Sequence, residues 1–168
     1  GQQFDQNGVA LKDRKGNPLA FTDNPALKEA GDNLEVTGIR VIKYPIDYNN
    51  GDNVDNDYVF YRYSDVLLMK AEALVRTGKA AEGLTIVNTI RSNRGATPFA
   101  SLTLDNLLDE RSRELYWEGW RRNDQIRFGT FANPVDNRTT ASPAYRVVFP
   151  IPQRELEINS NLKQNVGY

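Results

Sequence analysis

Residues 110–129, ERSRELYWEGWRRNDQIRFG, combine arginine and carboxylate side chains with apolar residues at an unusually high density. The stretch predicts two short helical pieces with Gly119 between them. Four residues fall at helical spacings of i, i+4, i+7 and i+11: Leu104, Leu108, Arg111 and Leu115. A guanidinium therefore lies on the stripe that should face a core. Because burying an unpaired charge is costly, Arg111 needs a carboxylate partner.

The carboxylates closest in sequence are the expected partners. Glu114 and Glu118 follow Arg111 within two turns, and an Arg-Asp-Arg series then repeats every third residue. The planar fork of arginine can hold two carboxylate oxygens and bridge helices. We therefore predict a buried or half-buried ion-pair network made of Glu110, Arg111, Glu114, Glu118, Arg121, Asp124 and Arg127.

Upstream of this stretch, the pattern predicts a helical hairpin. Its first helix should begin at a cap on Ser64 or Asp65 and end at about residue 77, and its second should cover about 80–92. Five positions match the small and large residues of one tetratricopeptide unit: Ala71, Leu74, Gly78, Gly83 and Val87. A single pair cannot bury both of its faces, so it must pack on other helices.

The remaining elements complete a mainly α prediction. Thr103 should cap a third helix over 104–118, and a short fourth helix should cover 120–128. In the tail we expect an extended run at 146–149 and a short helix at 153–156. The predicted fold is a tetratricopeptide-like pair plus a second helix pair, with long irregular loops and a few short strands.

The beginning of the chain has a different character. Residues 1–37 are punctuated by Gly and Pro, which predicts a loop-rich segment without a core of its own. Alternating β-branched residues then predict a short strand at 38–43. We expect residues 38–168 to form a single globular unit.

Composition excludes several classes of function. The chain has 21 basic and 22 acidic residues, so it has no charge excess that would favour nucleic acid. It contains no cysteine and no histidine, which removes thiol nucleophiles, the usual zinc ligands and the commonest general base. The arginines close to nearly every carboxylate of residues 110–129 should hold those groups ionised. We therefore expect no catalytic residue and no cofactor.

An acidic loop invites comparison with calcium sites. It contains Asp47, Asp52, Asp55 and Asp57, but their spacing does not fit an EF-hand, so Asx turns are expected and no metal. Three tyrosines flank this loop: Tyr44, Tyr48 and Tyr58. Aromatic rings beside amide and carboxylate groups suit a sugar, and these tyrosines are the candidate ligand contacts, with a place at the core edge as the alternative. Tyr61, Tyr63, Trp117 and Trp120 are assigned mainly to packing.

Three separated blocks carry a resemblance to a known family. They are YRYSDVLLMKAEAL at 61–74, ER..EL..EG.R..D..R at 110–127 and FPIPQRELEINSNLKQNVGY at 149–168. From about residue 38 to the end, the chain resembles the C-terminal part of the SusD/RagB family. Two prolines that the family has in its tail are replaced by Ser160 and Val166.

The resemblance implies a function of the whole protein. Such a protein would be a non-catalytic, surface-exposed outer-membrane lipoprotein that binds a glycan or another nutrient and delivers it to a TonB-dependent transporter of the SusC type. This chain would be its largely scaffold part, and the lipid anchor would lie upstream of it. The alternative is a helical-repeat module that binds a protein partner and no sugar.

Overall fold

The computed structural model describes residues 1–23, 34–44, 47–51, 54–136 and 138–168. Two compact units are present, Gly1–Asp57 and Tyr58–Tyr168. The second contains the described helices: α1 (Tyr63–Arg76), α2 (Ala80–Asn93), α3 (Leu104–Glu114), α4 (Arg121–Arg127) and α5 (Gln153–Ile158), with a 3₁₀ helix at Ala144–Val147. The fold is mainly α, as predicted.

The first unit consists of turns and single β-bridges. Gln2 pairs with Ala20, Phe4 with Ala10 and Lys12 with Pro18, all antiparallel. The strand predicted at 38–43 is wrong, because those residues belong to no strand. Ile39 and Ile42, which would lie on opposite faces of a strand, are 70% and 72% exposed, so neither face has anything to pack against. The predicted boundary after residue 37 falls inside this unit.

Helices α1 and α2 form the predicted hairpin. Gly78 has a φ of 77°, which an L side chain rarely adopts. The amide of Lys79 donates to the carbonyl of Leu74 at 2.8 Å, and the amide of Gly78 donates to that of Val75 at 3.1 Å. This Schellman pattern ends α1 and turns the chain back within a few residues. The predicted cap at Ser64 or Asp65 is wrong: Arg62 occupies the N-cap position without a capping side-chain bond.

A small apolar core lies between the hairpin and α3. It contains Leu68, Ala71, Val87, Ile90, Leu102 and Leu107. Gly83 of α2 lies against the backbone of α1. A Cβ at this position would be 3.0 Å from the carbonyl oxygen of Ala71 and 3.1 Å from Cδ2 of Leu102. The absence of a side chain therefore sets the distance between α1 and α2.

Helix α3 begins as predicted but ends early. Thr103 and Asn106 form a reciprocal capping box, each side chain accepting from the other's backbone amide. The helix stops at Glu114, four residues before the predicted end. The amide of Glu118 instead donates to the carbonyl of Leu115 in a tight turn, in which Trp117 takes a φ of 66°. Trp117 is 69% exposed and its ring lies 6.4 Å from that of Tyr116, so it contributes little to the core of this unit.

The tail is held by side chains bonded to backbone. Both amide atoms of Gln164 pair with the backbone of Ile151, at 2.8 and 2.9 Å, and the side chain of Asn165 donates to the carbonyl of Phe149. Arg122 of α4 lies 4.0 Å from the ring centroid of Phe149. The extended run predicted at 146–149 is wrong in its first half, where the 3₁₀ helix lies, because the amide of Arg146 turns back to the carbonyl of Pro143.

Within the described ranges, no helix has both the length and the apolar character needed to cross a bilayer.

The close approach at Gly83 gives a first prediction. Gly83→Ala should lower the free energy of unfolding by about 1 kcal/mol, because the clash with a backbone oxygen outweighs the higher helix propensity of alanine. Urea unfolding measures this change. Thr85→Ala, at an exposed position of α2, is the control and should be neutral or slightly stabilising. An equal gain in stability for both variants would contradict the prediction.

Candidate functional site

The centre of the charged stretch is a buried guanidinium between two carboxylates. Arg111 of α3 lies 2.8 Å from Asp124 of α4, from Nε to Oδ2, and 3.0 Å from Asp65 of α1, from Nη2 to Oδ1. All three residues are at most 2% exposed. One side chain thereby ties three helices together.

The predicted partners of Arg111 are held by other arginines. Arg62, just before α1, donates from Nη1 to Glu114 at 2.6 Å and from Nε to Glu118 at 2.8 Å. Arg94, which follows α2, also pairs with Glu114 at 2.8 Å. The assignment of Glu114 and Glu118 to Arg111 is therefore wrong. The two carboxylates connect the end of α3 and the turn after it with the residues that flank the hairpin.

The other members of the predicted network have partners on several helices. Glu72 of α1 binds Arg127 at 2.6 Å and Arg76 at 2.8 Å, and Arg127 also reaches Asp124 at 2.8 Å. Glu110 pairs with Arg91 of α2 and with Arg113. Arg121 donates to the backbone carbonyl of Leu108 at 3.3 Å.

Sequence reasoning missed the members of this network that lie in the hairpin or directly next to it. They are Arg62, Asp65, Glu72, Arg76, Arg91 and Arg94. A signal was present in Asp65 and Glu72, because both lie on the face of α1 that also carries Leu68. Carboxylates on a buried face need cations from another element, just as Arg111 needed anions.

The ion pairs lower the pKa of two of the buried carboxylates, Glu72 and Glu114. Burial raises the pKa of Glu114, but hydrogen bonds from Arg94 and Arg62 outweigh it and lower the pKa to about 2. Burial likewise raises the pKa of Glu72, and the bonds from Arg127 and Arg76 bring it below its ordinary value. The pKa of Arg127 is raised, chiefly by its hydrogen bonds to Glu72. Ionised carboxylates such as Glu72 and Glu114 hold helices together and have no proton to donate near neutral pH.

The predicted ligand tyrosines are divided between the two units. Tyr44 is half-buried and Tyr48 is 62% exposed in the first unit. Tyr58, in the second, is 61% exposed and its hydroxyl donates to the carbonyl of Glu118 at 3.3 Å.

The acidic loop is closed by its own hydrogen bonds. Asp47 accepts from the side chain of Asn50 at 2.6 Å and from the backbone amides of Asn49 and Asp55. These bonds, with that from Asn50 first, lower the pKa of Asp47. Asp52, also considered in this loop, lies outside the described residues. The bonding around Asp47 has the form of an Asx turn.

Two aromatic residues assigned to packing lie together beside the network. The rings of Tyr61 and Trp120 have centroids 5.5 Å apart at an angle of 38°. Trp120 is half-buried, but Tyr61 is 66% exposed. Tyr63 is 76% exposed, so packing is not its role within this unit.

The sequence profile of the SusD family matches residues 4–168. The chain belongs to the SusD family. It is 31% identical over 147 residues to the starch-binding protein SusD of Bacteroides thetaiotaomicron, covering 78% of this chain and 26% of that protein. It is 33% identical over 130 residues to the SusD-like protein P38 of Formosa agariphila, and this match covers 68% of this chain and 25% of that protein. The chain thus spans about a quarter of the length of these relatives.

Solved structures agree with this assignment. The surface glycan-binding protein A of Bacteroides uniformis aligns over 66% of this chain and 28% of its own, with 32% identity and a TM-score of 0.57. NanU of B. fragilis aligns over 67% of this chain and 27% of its own, with 31% identity and a TM-score of 0.53. The family predicted from three sequence blocks is confirmed.

The central position of Arg111 gives a second prediction. Arg111→Ala should lower the free energy of unfolding by about 3 to 5 kcal/mol, because it leaves Asp65 buried without its cation. Arg113→Ala on the same helix removes a guanidinium that is 58% exposed and should cost less than about 1 kcal/mol. Chemical denaturation compares the two.

If Arg111→Ala does not fold, Arg111→Lys provides the measurement. Lysine keeps the charge but cannot hold both carboxylates with a planar fork, so an intermediate loss is expected. A lysine variant as stable as the original chain would show that the geometry of the fork is unimportant.

The low pKa of Glu114 gives a third prediction. A folded-state pKa below the unfolded one stabilises the protein above the unfolded pKa, and this contribution is lost as the pH falls from about 4.5 towards 2. The stability difference between the original chain and Glu114→Gln should therefore shrink by about 2 kcal/mol between pH 7 and pH 3. Urea unfolding at pH 7, 5, 4 and 3 tests it. A difference independent of pH would show that Glu114 is not held ionised by its arginines.

Proposed function

We propose that this SusD-family chain is the largely scaffold part of a non-catalytic protein that binds glycans or another nutrient for uptake by a SusC/SusD-type system. The observation that carries the proposal is the family match over residues 4–168. Two similar proteins support it by what their names state: one binds starch and the other is a surface glycan-binding protein.

The proposed protein binds and transfers its ligand without breaking a bond. A glycosidase needs two carboxyl groups whose pKa values are pushed apart, one of them kept protonated. The carboxylates of α3 and the following turn are instead bonded to arginines, with the pKa of Glu114 at about 2. This geometry supports a structural role for them.

The proposed partners follow from the family. The ligand is an oligosaccharide or another nutrient, and the protein that receives it is a TonB-dependent transporter of the SusC type. The proposed location is the outer face of the outer membrane, with a lipid anchor outside this sequence as the contact with the bilayer. Tyr44, Tyr48 and Tyr58 remain candidate contacts for the ligand.

A second candidate function is a protein-binding helical module. The observation that favours it is the set of exposed apolar side chains on α1: Tyr63, Val66 and Met69. Such a surface suits a helix or loop of a partner protein. The two candidates differ in whether free sugars bind.

The fourth prediction separates them. We expect at least one of maltoheptaose, cellohexaose, xylohexaose, mannohexaose and laminarihexaose to give saturable heat on titration into the chain. No new reducing ends should appear during long incubation, because Glu114 and Glu118 are bonded to arginines. Tyr48→Ala and Tyr58→Ala then test the candidate contacts. Absence of sugar binding by this chain and by the longer protein of which it is proposed to be the scaffold part would favour the protein-binding module. Release of reducing ends would overturn the non-catalytic assignment.

A further inference from the structure

A cavity of about 610 Å³ opens between α1 and α4, beside the buried Arg111. This volume lies within the range of about 300 to 1,000 Å³ that is usual for small-ligand sites. Tyr61 and Trp120 line it with their rings, and Met69 and Ile126 add further apolar surface. The wall is thus mostly apolar, with the charged network at one side.

The charged groups around the cavity balance one another. Three carboxylates and three guanidinium groups line it: Asp65, Glu72, Asp124, Arg76, Arg111 and Arg127. Arg127 binds both Glu72 and Asp124, so most of these charges already compensate one another. Neither an anion nor a cation would find an excess of opposite charge. The electrostatics therefore favour a neutral ligand.

Two buried side chains at this cavity have atoms without a hydrogen-bond partner among the residues that the structure describes. These atoms are both carboxylate oxygens of Asp65 and the guanidinium nitrogen Nη1 of Arg111. Oδ1 of Asp65 takes part in the ion pair with Nη2 of Arg111 at 3.0 Å, which leaves its Oδ2. Both side chains line the cavity and are at most 2% exposed. The oxygen requires a donor and the nitrogen requires an acceptor, since buried polar groups are normally bonded. A hydroxyl group can do both.

We propose that this cavity binds one neutral sugar unit of a glycan. Hydroxyl groups of the sugar bond to Asp65 and Arg111, and the CH face of the ring packs on Trp120 and Tyr61. This inference rests on the proposed carbohydrate binding. It adds the location of a binding site in this chain and a preference for uncharged sugar units. An amide also carries a donor and an acceptor, so a peptide is the competing ligand.

The first test removes an exposed ring from the cavity. Tyr61→Ala should weaken binding of the best neutral oligosaccharide by about fivefold to tenfold in titration calorimetry, the loss expected for one aromatic contact. Tyr63→Ala is the matched control, because Tyr63 is also exposed at the start of α1 and does not line this cavity. Both side chains are mostly exposed, so both variants should fold.

The second test uses the two tryptophans as separate reporters. In Trp117→Phe, the remaining Trp120 lines the cavity, and its emission should change on titration with the same oligosaccharide. In Trp120→Phe, the remaining Trp117 lies outside this cavity, and its emission should stay constant. Trigalacturonic acid, an anionic sugar, should give no change at Trp120.

The outcomes distinguish this inference from the proposed function. Sugar binding that Tyr61→Ala weakens and Tyr63→Ala leaves unchanged supports both. Sugar binding that is equal in all variants, with no signal from Trp120, overturns the cavity site and leaves carbohydrate binding intact. No binding of any sugar by this chain overturns the cavity site, and no binding by the longer protein as well overturns both. A response of Trp120 to an acetylated, amidated trialanine peptide and to none of the sugars shows that the cavity takes peptides and overturns the proposed sugar ligand.

Discussion

The guanidinium of Arg111, held between Asp65 and Asp124, is the constraint on which the helical unit depends. Taking three charged groups out of water is expensive, and the cost is offset only when they lie in good geometry. Good geometry at Arg111 requires α1, α3 and α4 to be placed correctly at the same time, because each provides one of the three groups. The ion pairs therefore specify the arrangement of the helices more than they add net stability.

The balance of buried residues shows how far this framework extends. Among the described residues, eight hydrophobic and eight charged residues are buried. Seven of those charged residues lie in the helical unit, and six of the seven are carboxylates that must be matched with cations. Arg62, Arg91 and Arg94 do so from the hairpin and the residues next to it. The helices are held by these connections as well as by the small core around Leu68 and Val87.

The sequence predicted those features that depend on local signals. The end of α1 near Gly78 and the cap at Thr103 were predictable because each involves residues a few positions apart. The partners of Arg111 were not, since Asp65 is brought to it only when α1 packs on α3. The strand at 38–43 failed for a related reason: alternation describes one strand, whereas a strand needs a partner and a buried face.

The candidate site shows the same limit of local reasoning. The three family blocks identified the fold, yet each tyrosine was judged by its neighbours in sequence, and the pairing of Tyr61 with Trp120 depends on the meeting of α1 and α4.

The cavity lies where the charged network is least complete, and this position links binding to stability. Asp65 and Arg111 hold the helices together, and each still has an atom that could bond to an occupant. An occupant that satisfies these atoms binds the folded chain and not the unfolded one, so it stabilises the fold by mass action. The same argument explains why Arg111 is a poor residue for testing the site, since its removal disturbs the framework. An exposed ring such as Tyr61 can be removed without breaking an ion pair, so its removal disturbs the framework far less than that of Arg111.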